Sequence, residues 1–390
     1  MLAARKQLYL FGLFSPAFLT LLYQTGYCRS GGKILWVPNF DGTVRDILWA
    51  SPDPNEPIPF YWRDWIERVP VFTMATTILT SANSSPWTVD PTWNATNNSV
   101  ELVGAGGKGA AGTTGSGSSG GGGGGSAQYV KLTNGALGAT VPFIFYTSGP
   151  GSFGTVFEDS STGSHTNCYI AGSGFDASGT THGNGGNVTS TVGTPAVTFT
   201  VSVDRAGAVG GNSGANLGGG GGGGTPGALA AGGTGALSAT ANGGGGGGSN
   251  NGATGNGSGQ TGGTGSSGTG GGAGNPGTNG TGNSGGGGGN TVAAGLTVTG
   301  GNGGSGTDFD ATHGLGGGGG GSGQNTNNTA GETSTGGSGG LYGGGGGGCG
   351  GLRGTTSPTF TVGVGGAGVI ALTWVAISTF VPNLMPQACL

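Results

Sequence analysis

Residues 359–374 read T-F-T-V-G-V-G-G-A-G-V-I-A-L-T-W, and residues 198–207 read T-F-T-V-S-V-D-R-A-G. Both open with apolar and polar residues in alternation, the period of a half-buried β-strand, and both then run into glycine. The shared T-F-T-V-x-V-x-x-A-G lies mostly in Phe, Val and Thr, so glycine abundance alone does not produce it. It predicts two equivalent β elements, each leading into a glycine loop. Val369–Trp374 follows the later copy as a short apolar strand.

The same alternation recurs outward from these stretches. Trp87, Thr88, Val89 and Trp93 precede an alternating run at Ser99–Val103, and further strands are expected at Gln128–Leu132, Val141–Tyr146, Val197–Val203 and Thr291–Thr299. Val197, Phe199, Val201 and Val203 should share one face, with Thr198, Thr200 and Ser202 on the other. Trp87, Val89, Leu102, Phe199, Val201, Phe360, Val362, Ile370 and Trp374 are therefore the expected structural bracket of the domain.

Between these strands lie six polyglycine tracts, at 120–125, 218–224, 243–248, 285–289, 316–321 and 343–348. Glycine supplies 104 of the 390 residues and proline 17, a composition usually read as low complexity. One stretch is strictly periodic: Gly262, Gly265, Gly268, Gly271, Gly274, Gly277 and Gly280 recur at every third position. A left-handed helix with three residues per turn and no internal hydrogen bonds puts such a series on one edge, where strands can approach and pair their backbones. The expected fold is mainly β plus glycine-rich irregular structure: short β-strands bracketing a polyglycine II-like helix bundle or a Gly-rich loop sandwich. A flexible Gly/Ser linker is the alternative. Collagen is excluded, because the periodic run is short and holds one proline, Pro276.

Composition also divides the chain. Residues 1–73 carry seven of the eleven Lys/Arg and four of the seven Trp, which sets them apart from the remainder. We read 1–25 as an apolar N-terminal segment, signal- or anchor-like or a non-native extension. Residues 26–73 form a small attachment or upstream segment, 74–377 the glycine-rich domain and 378–390 a tail. Arg5 and Lys6 precede the apolar run Leu8–Tyr23, which contains Pro16 and is shorter than the ~20 residues a spanning helix needs. Met74 stands where the composition changes, as a translation start would. With a formal net charge of −4 and 7% charged residues, no basic surface exists for nucleic acid.

The run Trp87-Thr88-Val89 followed by V-E-L-V-G-A-G-G-K-G (100–109) resembles the opening of the glycine-rich domain of bacteriophage tail and tail-fibre proteins. Gly125-Ser126-Ala127-Gln128-Tyr129 is similar to that family's glycine-to-tyrosine element, and residues 359–374 to its closing strands. The resemblance covers about 78–375; Asp90 before Pro91 departs from it, and 1–73 have no counterpart. It implies a structural virion component at the tail, a tail-fibre tip or receptor-binding adhesin that presents loops on a rigid polyglycine II scaffold. Its partners would be other tail or fibre proteins and a host surface protein or polysaccharide, with an oligomer possible. An exported bacterial glycine-rich surface or matrix protein is the alternative. An ice-binding protein would need a flat, regular Thr array, which the irregular tracts do not predict.

Reactive motifs are sparse. Cys28, Cys168, Cys349 and Cys389 form no C-x-x-C pair; Cys168 and Cys349 are read as buried free thiols, with a disulfide as the alternative. His165-Thr166-Asn167-Cys168 has the two ends of a ligand pair without a second pair. Gly303–Asp308 matches the start of a calcium-binding nonapeptide, but Asp310 replaces the large apolar residue and no tandem copy follows. The polar loop with Asp308, Phe309, Asp310 and His313 reads instead as a receptor-contact tip. G-x-G-x-x-G recurs by chance at this glycine content. No catalytic, cofactor-binding or metal residue is expected, and the chain reads as a non-enzyme.

Overall fold

The computed structural model describes residues 24–27, 33–38, 45–51, 70–146, 153–159, 165–238, 241–250, 254–255, 263, 297–304, 315–326, 328–354 and 356–379, with backbone alone before 73 and after 376. The period-three glycines Gly262–Gly280, the tract 285–289, and the loop of Asp308, Phe309, Asp310 and His313 lie outside them. So does the apolar run Leu8–Tyr23, apart from the strand that begins after it.

The described residues are mainly β and contain no helix. In chain order the strands are β1 (Gln24–Tyr27), β2 (Lys33–Pro38), β3 (Arg45–Ser51), β4 (Pro70–Leu79), β5 (Trp87–Thr88), β6 (Asn98–Val103), β7 (Tyr129–Thr133), β8 (Thr140–Val141) and β9 (Phe143–Phe145). They continue with β10 (Thr155–Phe157), β11 (Cys168–Ala171), β12 (Thr191–Val192), β13 (Thr200–Arg205), β14 (Thr297–Thr299), β15 (Thr333–Thr335), β16 (Thr359–Thr361) and β17 (Val369–Thr379). Two units divide the chain: 1–75, 91–94 and 373–390 form the first, and 76–90 with 95–372 the second.

In the first unit β1, β2 and β3 make an antiparallel meander. The Trp93 and Trp374 rings lie 5.4 Å apart, and Trp374 Nε1 donates to Thr92 Oγ1 at 3.1 Å. The sheets are otherwise ordered β13-β7-β6-β17-β4, β12-β11-β10-β9, β14-β15-β16 and β5-β8.

The two T-F-T-V stretches are not equivalent. β13 pairs antiparallel with β7, whereas β16 joins a parallel sheet beside β15. A register shift between Val201 and Val203 also breaks the expected alternation. Phe199 is buried, but Val201 is 37% exposed and most of β13 faces solvent. Elsewhere the bracket holds a core: Leu102, Ile370 and Trp374 are buried, while Trp87, Val89, Phe360 and Val362 are half-buried.

What lies between the strands is held by backbone. In the tract 218–225, Gly219, Gly222 and Thr225 donate to Ser322, Gly319 and Gly316. Gly220 and Gly223 donate to Gly121 and Gly124, and Gly221 and Gly224 to Ala236 and Gly233. The donor direction thus rotates through three neighbours and returns every third residue. Tract 104–113 repeats the rule, with Gly104, Gly107, Ala110 and Thr113 donating to Gln128, Gly125, Gly122 and Ser119. So does tract 343–352, where Gly346, Cys349 and Leu352 donate to Gly107, Ala110 and Thr113. This network satisfies backbone groups that would otherwise be buried without partners, at sites with almost no side chain to pack.

Glycine is required there for space. A Cβ at any residue of 219–224 would overlap a carbonyl of a neighbouring tract, and none of these residues has a left-handed φ. The number of glycine positions per three residues follows the number of packed sides. Tract 218–224, enclosed on every side, is glycine throughout. In 336–340, Gly336 and Gly339 face Gly347 and Gly344, and Gly337 and Gly340 face Gly301 and Gly304. The third position there is the half-exposed Ser338.

At the ends of the tracts side chains take over the packing. Val103, Ala127, Tyr129, Leu315, Tyr342 and Val369 form one apolar cluster. Leu315 and Tyr342 stand immediately before polyglycine tracts and Ala127 just after one, so the cluster marks where strands meet glycine tracts. Gly343 turns out of it at φ 81°, where a Cβ would meet Val103 Cγ1 at 2.7 Å.

Candidate functional site

A second cluster in the four-stranded sheet carries the titratable chemistry. β9, β10 and β11 pair antiparallel, with Phe157 between Phe143 and Tyr169. Tyr146 follows β9 directly, Glu158 and Asp159 follow β10, and Cys168 opens β11. Val156, Cys168 and Ile170 form the buried apolar floor, with Ile144, Tyr146, Val188 and Val192 against it.

His165, whose side chain is fully buried, joins these ends. Its Nδ1 lies 3.1 Å from Asp159 Oδ2 and its Nε2 lies 3.0 Å from the Tyr146 hydroxyl. The ring stands edge-on to Phe153, centroids 4.7 Å apart. Cys168 completes the group: a carboxylate oxygen of Asp159, a ring nitrogen of His165 and the Cys168 sulfur all lie within 4.8 Å of one another.

Backbone geometry aims these side chains. Glu158 has φ 75° and Asn167 φ 68°, so the residues beside Asp159 and Cys168 are both left-handed. The Glu158 amide donates to Pro142 O at 2.8 Å, and Asn167 Oδ1 accepts from the Thr194 amide at 2.8 Å; these bonds hold the two bends.

The local field is negative and poorly solvated. Burial pushes the Glu158 carboxyl up to about 7, against one hydrogen bond from the Val197 amide. Its Oε1 is buried without a hydrogen-bond partner. Burial, then the charges of Asp159 and Glu158, pushes the Cys168 thiol up to about 11. Tyr146 is raised by burial and by Asp159. A cysteine so protonated is a poor nucleophile, although a histidine and a carboxylate stand beside it.

Tyr146 also lines an open cleft of about 340 Å³ with Phe145, Lys108, Val364 and the backbone of Gly365–Gly368. Lys108 is exposed, and its amide donates to Asp176 Oδ1 at 2.8 Å. Phe153, 37% exposed, stands beside His165. The cleft thus offers the Phe145 and Tyr146 rings, one cation and a wall of backbone in which Val364, Gly366 and Ala367 are already hydrogen-bonded to neighbouring segments.

A third feature is a regular hydroxyl surface. In the parallel sheet Thr297, Thr333 and Thr359 are in register, and so are Thr299, Thr335 and Thr361. All six are exposed or half-exposed, while Val298 and Ser334 between them are buried. Thr333 Oγ1 donates to Thr297 Oγ1 at 2.9 Å. Rows about 4.8 Å apart across strands and about 6.6 Å along them follow from sheet geometry. The irregular glycine tracts hide this array in the sequence, because its three T-x-T segments are far apart and only parallel pairing aligns them.

The sequence marks His165 and Cys168 but not Asp159, Glu158 or Tyr146. No spacing signal links these residues, since antiparallel register rather than a short motif assembles them. Cys168 and Cys349 are both buried free thiols, as read from the sequence. Among the described residues no helix is long and apolar enough to cross a membrane. Comparison with protein-family models and with curated proteins finds no match to this chain.

Proposed function

We propose that this chain is a structural, receptor-binding component of a phage or prophage tail: a stiff bundle of polyglycine II helices that presents loops and sheet edges to a host surface. The observation that carries the scaffold reading is the three-way rotation of backbone donors along 218–225, with glycine at every enclosed position. A helix of three residues per turn without internal hydrogen bonds has that rotation. The fibre-tip role rests on the resemblance of residues 87–109 and 359–374 to phage tail glycine-rich domains, and is an analogy of scaffold. Its host ligand would be a surface polysaccharide or protein, bound at the Tyr146 cleft and neighbouring loops, where the Phe145 and Tyr146 rings and the Lys108 cation suit saccharide rings and hydroxyls.

Binding of the purified chain to a panel of bacterial strains tests this reading, together with its incorporation into virions. Strain-specific adsorption is the expected result. Neither adsorption to any strain nor incorporation would overturn it.

One observation favours a second reading. The two in-register threonine rows form the regular hydroxyl face that recognition of an ordered lattice, such as ice, demands. Thermal hysteresis and ice shaping by the purified chain would support it, and their absence returns the face to the receptor surface.

A further inference from the structure

Neither the scaffold nor the receptor reading uses the buried group behind Tyr146. We infer that Asp159, His165 and Cys168 form a binding site for a divalent transition-metal ion of the zinc type. Imidazole, thiolate and carboxylate are the zinc donor set, and a three-ligand site leaves a fourth position for solvent or a neighbouring group. The donor atoms already lie within 4.8 Å of one another. Tetrahedral bonds of ~2.0–2.3 Å place ligand atoms about 3.3–3.7 Å apart, so closure needs only a side-chain adjustment of about 1 Å.

The surroundings fit such an ion. The Asp159 carboxylate and the Cys168 thiol stand together at an apolar floor of Val156 and Ile170, an arrangement that burial disfavours for anions and a bound dication stabilises. Tyr146 supplies the outer partner: a metal at His165 Nδ1 requires the proton on Nε2, which then donates to the Tyr146 oxygen 3.0 Å away.

The proton balance is explicit. Without metal, Nδ1–H donates to Asp159 and the Tyr146 hydroxyl donates to Nε2. On binding, the imidazole proton moves to Nε2, Tyr146 turns to accept it, and Cys168 loses its proton to solvent as the sulfur–metal bond forms. At least one proton is therefore released per ion near neutral pH. The link from His165 through Tyr146 to the cleft makes metal occupancy a means of fixing the cleft wall.

The test is titration of the full chain with Co²⁺ and Zn²⁺. A 1:1 complex is expected, with a thiolate-to-cobalt charge-transfer band in the near ultraviolet that Zn²⁺ displaces. Calorimetry in two buffers of different ionisation enthalpy should report the released proton. Cys168→Ser should abolish the band and Asp159→Asn should weaken binding at least tenfold. His182→Ala, at a half-exposed histidine bonded to Asn212, should change neither. Absence of a thiolate band in the native chain would overturn the inference without relying on any variant's folding. So would a band that survives in folded Cys168→Ser, which would assign the ion to another cysteine.

Discussion

Gly222 donates its amide to the carbonyl of Gly319 at 2.7 Å, and its own carbonyl accepts from Gly247 at 2.9 Å. Its remaining side faces a third tract, where a Cβ would overlap Gly345 O and approach Gly346 C to 3.0 Å. One residue is therefore enclosed by three chain segments with no room for a methyl group.

Gly222→Ala should consequently lower stability by about 1–3 kcal/mol, the range of overpacking in a close-packed interior, or prevent folding. Gly117→Ala is the control, since a Cβ there meets nothing within 4 Å and φ is unexceptional. It should be neutral or stabilising by up to about 1 kcal/mol through the unfolded chain. Denaturant melts of both variants decide the matter; equal effects would mean that the tracts do not pack.

Amide exchange gives a second, mutation-free check. Gly219 to Thr225 all donate to other tracts, so their amides should exchange slowly and together, as one cooperative unit. Gly138, whose surroundings are open, should exchange fast. Random-coil rates across 219–225 would restore the linker reading and remove the bundle.

These two tests bear on how far the sequence could be read. Alternation located β6, which has one face against an apolar cluster, and the length of its apolar run located β17, whose first four residues are all buried. It failed for β13, where the bulge at Val201/Val203 and exposure to solvent remove the physical cause of the pattern. β10 and β11 escaped notice because their residues are buried on both faces, and fully buried runs carry no period of two. Glycine spacing was informative in a way the strictly periodic stretch alone did not convey. Continuous glycine marks an enclosed tract, and two positions in three mark an edge such as 336–340. Of the Asp159–His165–Cys168 group the sequence showed only the His165–Cys168 pair, because the pairing of β10 with β11 brings Asp159 to it.

The threonine face can be removed without harm to the scaffold. Thr335 is half-exposed, and Thr333 contributes a single hydroxyl bond to Thr297. Replacing both by Ala should change stability by no more than about 1 kcal/mol. Any ligand or lattice that reads the rows should bind at least tenfold less well. Adsorption or thermal hysteresis unchanged in Thr333→Ala/Thr335→Ala would exclude this face as the contact.

Glu158 gives the chain a pH dependence of defined sign. Its carboxyl ionises near 4.5 when free and at about 7 in the folded chain, with burial as the main cause. Below the lower value both states are protonated and stability is unaffected. Between the two values the unfolded chain has lost the proton that the folded chain keeps, so stability falls as pH rises, and it levels off above about 7. Glu158 is only half-buried, so solvent screening reduces the full linkage to about 1 kcal/mol. Glu158→Gln should therefore melt at a higher temperature than the native chain at pH 8 and at the same temperature at pH 4. Paired melts across pH 4–8 in a metal chelator isolate the effect from any bound ion. A native chain that gains stability relative to the variant over that interval would show that the carboxylate is stabilised rather than penalised by its surroundings, and parallel curves would show that Glu158 contributes no pH dependence.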